Sequence, residues 1–253
     1  MRRFVLLLLL LALLAPPALT AEAWPDGKEL AGRLKDLARL DRAELHEIGF
    51  SAGGQKLRLL EIDPAREPDG GAPAILVLAN VEGDLPLCSL AAIELAAEIL
   101  AADAAAPAAA VRWYVLPEAA PDGLDRWFAR PRAAGGFNAT PVDEDRDGRE
   151  GEDPPDDLDG DGVITWMLVE DPAGTWILDE DRLPMVADPA RGLPGRYRRE
   201  VEGRDQDGDG LFNEDPPGGV DITANFPHGF THWTTRGGRW AGDQPETLSL
   251  IHI

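Results

Sequence analysis

The stretch Ala74-Ile-Leu-Val-Leu-Ala79 is a continuous apolar run, and a short run of this kind predicts a buried β-strand. An apolar helical pattern follows over Leu87 to Ala101, and a second strand pattern, Val111-Arg-Trp-Tyr-Val-Leu116, ends at Pro117. A strand, a helix and a strand in this order favour a right-handed crossover between parallel strands. The sequence therefore predicts an α/β fold of three layers around a mixed, mostly parallel sheet.

Further elements surround this unit. Glu29 to Leu40 has apolar residues at helical spacing, and Gln55 to Asp63 alternates like a half-buried strand. Sites in parallel sheets form at the carboxyl ends of the strands. We therefore expect functional residues within Asn80–Leu87, Pro117–Gly123 and Gly219–Phe230.

The N-terminus has the features of a secretory signal peptide. Met1-Arg-Arg3 is positively charged, Phe4 to Ala15 is apolar but too short to span a bilayer, and Ala21 is a suitable cleavage residue. We predict a signal peptide over 1–21, a mature α/β domain over 22–253, and a secreted or periplasmic protein. The alternative is that the apolar stretch stays attached as a membrane anchor; no other segment predicts a membrane span.

Composition excludes several functions. The 253 residues include 24 Lys and Arg against 46 Asp and Glu, so the net charge of −22 excludes nucleic acid as the main partner. The single cysteine, Cys88, excludes an intrachain disulfide framework and a cysteine-rich zinc cluster. Neither of the common glycine-rich nucleotide-binding motifs is present.

The negative charge is concentrated in a predicted insertion over 138–217. Between Asp143 and Asp215 the chain has 24 acidic residues and 8 arginines. The pattern D-x-D-x-D-G occurs three times there, and its aspartates are Asp143, Asp145, Asp147, Asp157, Asp159, Asp161, Asp205, Asp207 and Asp209.

Alternating carboxylates closed by a glycine place several oxygens around one hard cation, which predicts calcium binding. The twelfth loop position of an EF-hand would require Glu, but Pro154, Leu168 and Pro216 stand there, so helix-flanked EF-hands are not expected. The alternative is a set of solvated acidic loops that bind no ion.

Four motifs together resemble the zinc carboxypeptidase family. They are Glu47-Ile-Gly-Phe-Ser-Ala-Gly-Gly54, Pro117-Glu-Ala-Ala-Pro-Asp-Gly123, Gly218-Gly-Val-Asp-Ile-Thr-Ala-Asn-Phe-Pro227 and Gln244-Pro-Glu-Thr247. The resemblance extends over about residues 26–247, and the acidic repeats are similar to those of a bacterial branch of the family. It implies a hydrolase that removes C-terminal residues from peptides or proteins with a zinc-activated water.

The same resemblance shows a departure at the metal position. The family holds zinc with an H-x-x-E motif and a later His, but Glu82 stands at the first position and Leu85 at the second. Glu82, helped by Asp84, would give a weak site or one for a harder ion; we favour the alternative, a domain that has kept the fold and lost the metal.

The substrate positions implied by the resemblance also differ. Thr223 and Ala224 stand where Asn and Arg would hold a terminal carboxylate, while Asn225 remains. Arg130 or Arg132 is the candidate for the cation that polarises the substrate carbonyl. We therefore expect substrate binding by Asn225, Arg130 and Arg132.

The histidines do not supply the missing ligands. His46 precedes the first predicted strand and His252 lies next to the last residue. His228 and His232 are four residues apart, but Pro227 indicates a loop, so we interpret this pair as polar loop residues rather than metal ligands.

Pro245 predicts the start of a helix that has too few remaining residues to be completed and buried. Since the family continues to a third ligand and a general base, we expect a C-terminally truncated chain. A further hypothesis is that Leu248 to Ile253 are non-native residues added by read-through. The resulting prediction is a carboxypeptidase-like domain without hydrolytic activity. The alternative is a calcium-stabilised, non-catalytic module that binds peptides or glycans.

Overall fold

A computed structural model describes residues 24–63, 73–103, 106–133, 135–143, 148, 154–206, 210, 212–213, 219–232, 234 and 236–253. The predicted signal peptide lies outside the described residues, as do Asp145, Asp147, Asp207 and Asp209.

The first sheet has four strands in the order β1-β2-β4-β3. They are β1 (Ala43–Phe50), β2 (Lys56–Ile62), β3 (Ala74–Leu78) and β4 (Arg112–Leu116). The mixed α/β fold is confirmed, but among the described strands of this sheet only the pairing of β3 with β4 is parallel, so the described sheet is less parallel than predicted. The reason is that a tight turn after Ser51 joins β1 to β2, and such a hairpin makes the two strands antiparallel.

Helices pack on this sheet and enclose the main core. They are α1 (Gly27–Leu37), α2 (Pro86–Ala101), α3 (Pro121–Phe128) and α4 (Pro245–Ile251). Asp26 caps α1 by accepting a hydrogen bond from the Glu29 amide at 2.8 Å. Leu30 of α1, Ile93 of α2 and Leu60 of β2 are buried in one cluster, and each such side chain stabilises the fold by about 2 kcal/mol.

Strand β3 lies at the edge of the described sheet, which corrects the prediction of a buried strand. Ile75, Leu76 and Leu78 are 40%, 44% and 38% exposed. The apolar run does form a strand, but β4 is its one partner among the described strands, and Val77 is the β3 residue that packs against the core. An apolar run therefore predicted the strand but not its neighbours.

A second sheet lies within the acidic insertion, which the sequence predicted to be rich in loops. It contains β5 (Trp166–Glu170), β6 (Trp176–Leu178), β7 (Pro184–Val186) and β8 (Tyr197–Val201) in the order β5-β8-β6-β7. All of its pairings are antiparallel. Strands of three to five residues separated by acidic turns carry too little periodicity to be recognised.

Two local expectations are wrong. His46 lies on β1 rather than before the first strand, and its Nε2 is 3.0 Å from the Glu61 carboxylate. The predicted helix start at Pro245 is confirmed, but α4 does complete two turns, and both Glu246 and Thr247 are fully buried. No helix in the described part of the chain is both long enough and apolar enough to cross a membrane.

Candidate functional site

A polar cleft of about 360 Å³ opens beyond the carboxyl end of β3. The residues that line it are Glu82, Asp84, Gly135, Gly136, Phe137, Asp221, Thr223 and Arg236. The cleft therefore contains three carboxylates and one guanidinium.

Close backbone packing fixes the loop that carries Glu82 and Asp84. A Cβ atom on Gly136 would lie 1.2 Å from the Glu82 carbonyl oxygen, and one on Gly123 would lie 2.7 Å from the Gly83 Cα. Three chain segments meet here without side chains between them, which only glycine permits. The position of Glu82 is thus set by the backbone.

Asp221 and Arg236, which also line the cleft, form an ion pair. The Arg236 Nη2 donates to Asp221 Oδ2 at 2.9 Å, and the Thr223 hydroxyl donates to Asp221 Oδ1 at 2.5 Å. The Arg236 side chain remains largely exposed, so part of its hydrogen-bonding capacity is available to a ligand. The sequence did not reveal Arg236, because Thr, Gly and Arg around it form no pattern and its partner is 15 residues away.

The metal position does not fit zinc. Glu82 is exposed and Asp84 is half-buried, and within the described residues neither carboxylate has an ion-pair partner or belongs to a group of three converging ligands. Leu85 is exposed at the N-cap of α2 and offers no donor atom. A catalytic zinc needs three protein ligands, and this wall of the cleft offers two carboxylates and no imidazole.

None of the three predicted substrate-binding residues lines the cleft. Asn225 is fully buried, where its amide donates to the Gly237 carbonyl and to Asp243 Oδ1, both at 2.7 Å. Arg130 is exposed and donates to its neighbour's carbonyl, while the Arg132 guanidinium lies 4.2 Å from the Trp127 ring centre. The Asn225 amide therefore bonds within the protein, and substrate binding by these three residues stays a prediction.

Asp122 holds two of the family-like motifs together. Its Oδ1 accepts from the Ser51 hydroxyl at 2.5 Å, and its Oδ2 accepts from the amides of Gly53 and Ala139 at 2.8 and 3.1 Å. The motif that ends in Pro-Asp-Gly is thereby bonded to the turn after β1.

Glu246 joins a third motif to the same region. Its carboxylate accepts from the Ala52 amide at 3.0 Å and from the Asn138 side chain at 3.1 Å. Burial raises the pKa of Glu246, and the nearby Asp122 charge adds to the rise, while these hydrogen bonds act against it. The motif residues that match the family thus include a buried polar network that supports the fold.

Glu118 is a half-buried acid in the Pro117–Gly123 motif. It lines a small cavity with Leu30, Leu34 and Ile93, and its buried Oε1 has no hydrogen-bond partner among the residues that the structure describes. Burial raises the pKa of Glu118 from 4.5 to about 7, although the nearby Arg58 lowers it in part. Helical and strand patterns gave no signal for this residue, since it lies in a loop.

The three acidic repeats close in the same way. The first aspartate of each accepts a hydrogen bond from the amide of the glycine five residues later: Asp143 from Gly148 at 3.1 Å, Asp157 from Gly162 at 2.8 Å and Asp205 from Gly210 at 2.9 Å. In the middle repeat, carboxylate oxygens of Asp157, Asp159 and Asp161 lie within 4.8 Å of one another.

Glu202 anchors the middle repeat to the end of β8. This buried carboxylate accepts from the amides of Leu158 at 2.7 Å and Thr165 at 3.0 Å. The hydrogen bond from the Thr165 amide is the main cause that lowers the pKa of Glu202. An isolated Glu after a strand gave no sequence signal for this role.

The chain is similar to several solved structures, including the following three. Carboxypeptidase A from Helicoverpa armigera matches with a TM-score of 0.51 and 16% identity, over 90% of this chain and 42% of that one. Bovine thrombin-activatable fibrinolysis inhibitor, in complex with tick carboxypeptidase inhibitor, matches with a TM-score of 0.47 and 11% identity. The match covers 90% of this chain and 55% of that one. A metallo-carboxypeptidase from Burkholderia cenocepacia matches with a TM-score of 0.35 and 17% identity, over 39% of this chain and 28% of that one.

The chain therefore spans about half or less of the solved structures that it matches. No curated protein gives a significant match. The family model described as zinc carboxypeptidase matches residues 33–253, which is most of the chain. This chain belongs to the zinc carboxypeptidase family.

Proposed function

We propose that this chain is a carboxypeptidase-family domain that binds peptides in the polar cleft and does not hydrolyse them through a zinc-bound water. The family acts on peptide C-termini. The observation that carries the proposal is the donor set at the metal position, where Glu82 and Asp84 have no third ligand beside them in the described residues.

The cleft offers suitable groups for a peptide. Arg236 provides exposed N–H donors for a carboxylate, and guanidinium is well matched to that group. Glu82 and Asp84 face the same cavity and can accept hydrogen bonds from peptide N–H groups or a basic side chain. A peptide whose C-terminal residue has a basic side chain carries a carboxylate for Arg236 and a cation for Glu82 and Asp84.

Zinc content and peptide binding test this proposal together. The purified chain, incubated with zinc and dialysed, should retain substoichiometric metal and release no C-terminal residue from a peptide. Calorimetry should show that a peptide with a free carboxyl terminus binds more tightly than its amidated form. Arg236→Ala should remove this preference, whereas Arg130→Ala, an exposed arginine outside the cleft, should keep it.

Stoichiometric zinc together with hydrolysis would overturn the non-catalytic proposal. Equal binding of the free and amidated peptides by the unmodified chain would overturn the assignment of Arg236 to the ligand carboxylate.

We further propose that calcium stabilises the acidic insertion. The shared closure of the three repeats and the convergence of Asp157, Asp159 and Asp161 support it. Calcium should raise the melting temperature and EDTA should reverse the rise. Asp159→Asn should weaken this response, and Asp36→Asn, which removes an exposed acid of α1, should not; an unchanged melting temperature would refute calcium binding.

Export of the chain is also a proposal, supported by the charged and apolar N-terminal segment. Sequencing of the mature N-terminus is the test. A first residue of Glu22 is expected, and a retained Met1 would contradict cleavage.

A further inference from the structure

One face of the second sheet carries an aromatic stack. Strand pairing places Trp166 opposite Val201, Leu168 opposite Arg199, and Trp176 opposite Tyr197, so these side chains share a face. The Arg199 guanidinium carbon lies 4.4 Å from the Trp166 ring centre and 4.6 Å from that of Trp176. The cation is thus within interaction distance of two indoles.

We call the surface formed by Trp166, Trp176, Val186 and Arg199 the tryptophan face. Val186 pairs with Trp176 and extends the same face across the sheet. Trp166 is 58% exposed and Val186 is 60% exposed. Large aromatic residues together with arginine are the types enriched at the centres of protein interfaces.

The net charge of the segment that carries this face restricts the partner. The segment between Asp143 and Asp215 has 24 acidic residues against 8 arginines, and Glu170 lies exposed on the same face as the stack. A field of this sign attracts a cationic ligand and repels an anionic one. A neutral glycan would gain nothing from it.

We propose that the tryptophan face binds an arginine- or lysine-containing segment of a partner polypeptide. Arg199 shows that these indoles accept a guanidinium, and the exposed part of the Trp166 ring offers a further surface to a partner's cation. The acidic surroundings supply the long-range attraction. This surface is separate from the cleft, since the two share no lining residue.

The test uses an alternating arginine-glycine peptide with an amidated C-terminus, titrated by calorimetry against the full chain. The amide removes the carboxylate that Arg236 would bind; because Glu82 and Asp84 of the cleft can still accept a basic side chain, binding at the tryptophan face is judged from the Trp166 variants. Trp166→Ala should weaken binding at least about fivefold, because one exposed cation–π contact and its apolar area are lost. Added salt should also weaken binding.

Trp240→Ala is the matched control, since Trp240 is another indole with 62% exposure and is outside the tryptophan face. It should bind like the unmodified chain. Trp166→Phe keeps an aromatic ring in the sheet and should give an intermediate affinity even if the alanine variant does not fold.

Three results would overturn the proposal: equal affinities of the Trp166→Phe variant and the unmodified chain, an equal loss in Trp240→Ala, or binding of a neutral oligosaccharide in place of the peptide.

Discussion

Replacement of Glu118 by glutamine should make the chain more stable at neutral pH but not at acidic pH. The carboxyl group lies in a small cavity beside Leu30, Leu34 and Ile93, and one of its oxygens has no partner in the described part of the chain. Burial therefore favours the neutral form, and glutamine is neutral at every pH.

The magnitude follows from the shift in pKa. A rise from 4.5 to about 7 means that the folded chain binds more protons than the unfolded chain between these two values. The free energy of unfolding therefore falls by about 3 kcal/mol in total as pH rises through this window. It levels off above the window. Arg58, Asp125 and Asp26 are the charged neighbours, and Arg58 opposes the effect of burial.

Urea unfolding followed by tryptophan fluorescence at pH 5, 6, 7 and 8 is the assay for Glu118→Gln. The free energy of unfolding of the variant should exceed that of the unmodified chain by an amount that grows to about 3 kcal/mol at pH 8. Other titrating groups are common to both proteins and cancel in the difference. Glu94→Gln, on an exposed side chain, is the matched control. A stability difference that does not change with pH would refute the reasoning.

Three further substitutions test the scaffold. Glu246→Ala should lower the free energy of unfolding by about 3 kcal/mol, measured by urea unfolding, because it leaves Ala52 N–H and part of Asn138 without an acceptor; a loss below about 1 kcal/mol would contradict the network. Gly136→Ala should lower the melting temperature and weaken peptide binding, since its Cβ would meet the Glu82 carbonyl at 1.2 Å; an unchanged melt would show that the loops separate easily. Glu202→Gln should weaken the anchoring of the middle acidic repeat and speed amide exchange at Leu158, while exchange at Leu60 in the main core stays unchanged.

Sequence patterns predicted the parts of the fold that are local. Lys56–Ile62 and Pro86–Ala101 appeared within one or two residues of their predicted ends, because apolar spacing along one segment determines which face it buries. The exposure of β3 was not predictable in this way, since it depends on which strands lie beside it.

The candidate site was predicted only in part. Glu82 and Asp84 were found because they occupy a motif position after a strand, and both line the cleft. Arg236 was missed because its role arises from a contact with Asp221 across a turn. Asn225 was assigned to the substrate because it matches a motif, but the fold uses its amide internally. A motif match indicates where a residue lies in the family pattern, whereas its contacts in the fold indicate its role.

The edge position of β3 has a consequence for how the protein behaves in solution. Within the part of the chain that the structure describes, β3 is paired on one side, and an apolar strand edge of this kind is a template for pairing with another chain. The net charge of −22 keeps molecules apart at low ionic strength. Salt shortens the range of that repulsion, so self-association through β3 should increase with ionic strength, and dilute buffers of low salt are the conditions that favour the monomer.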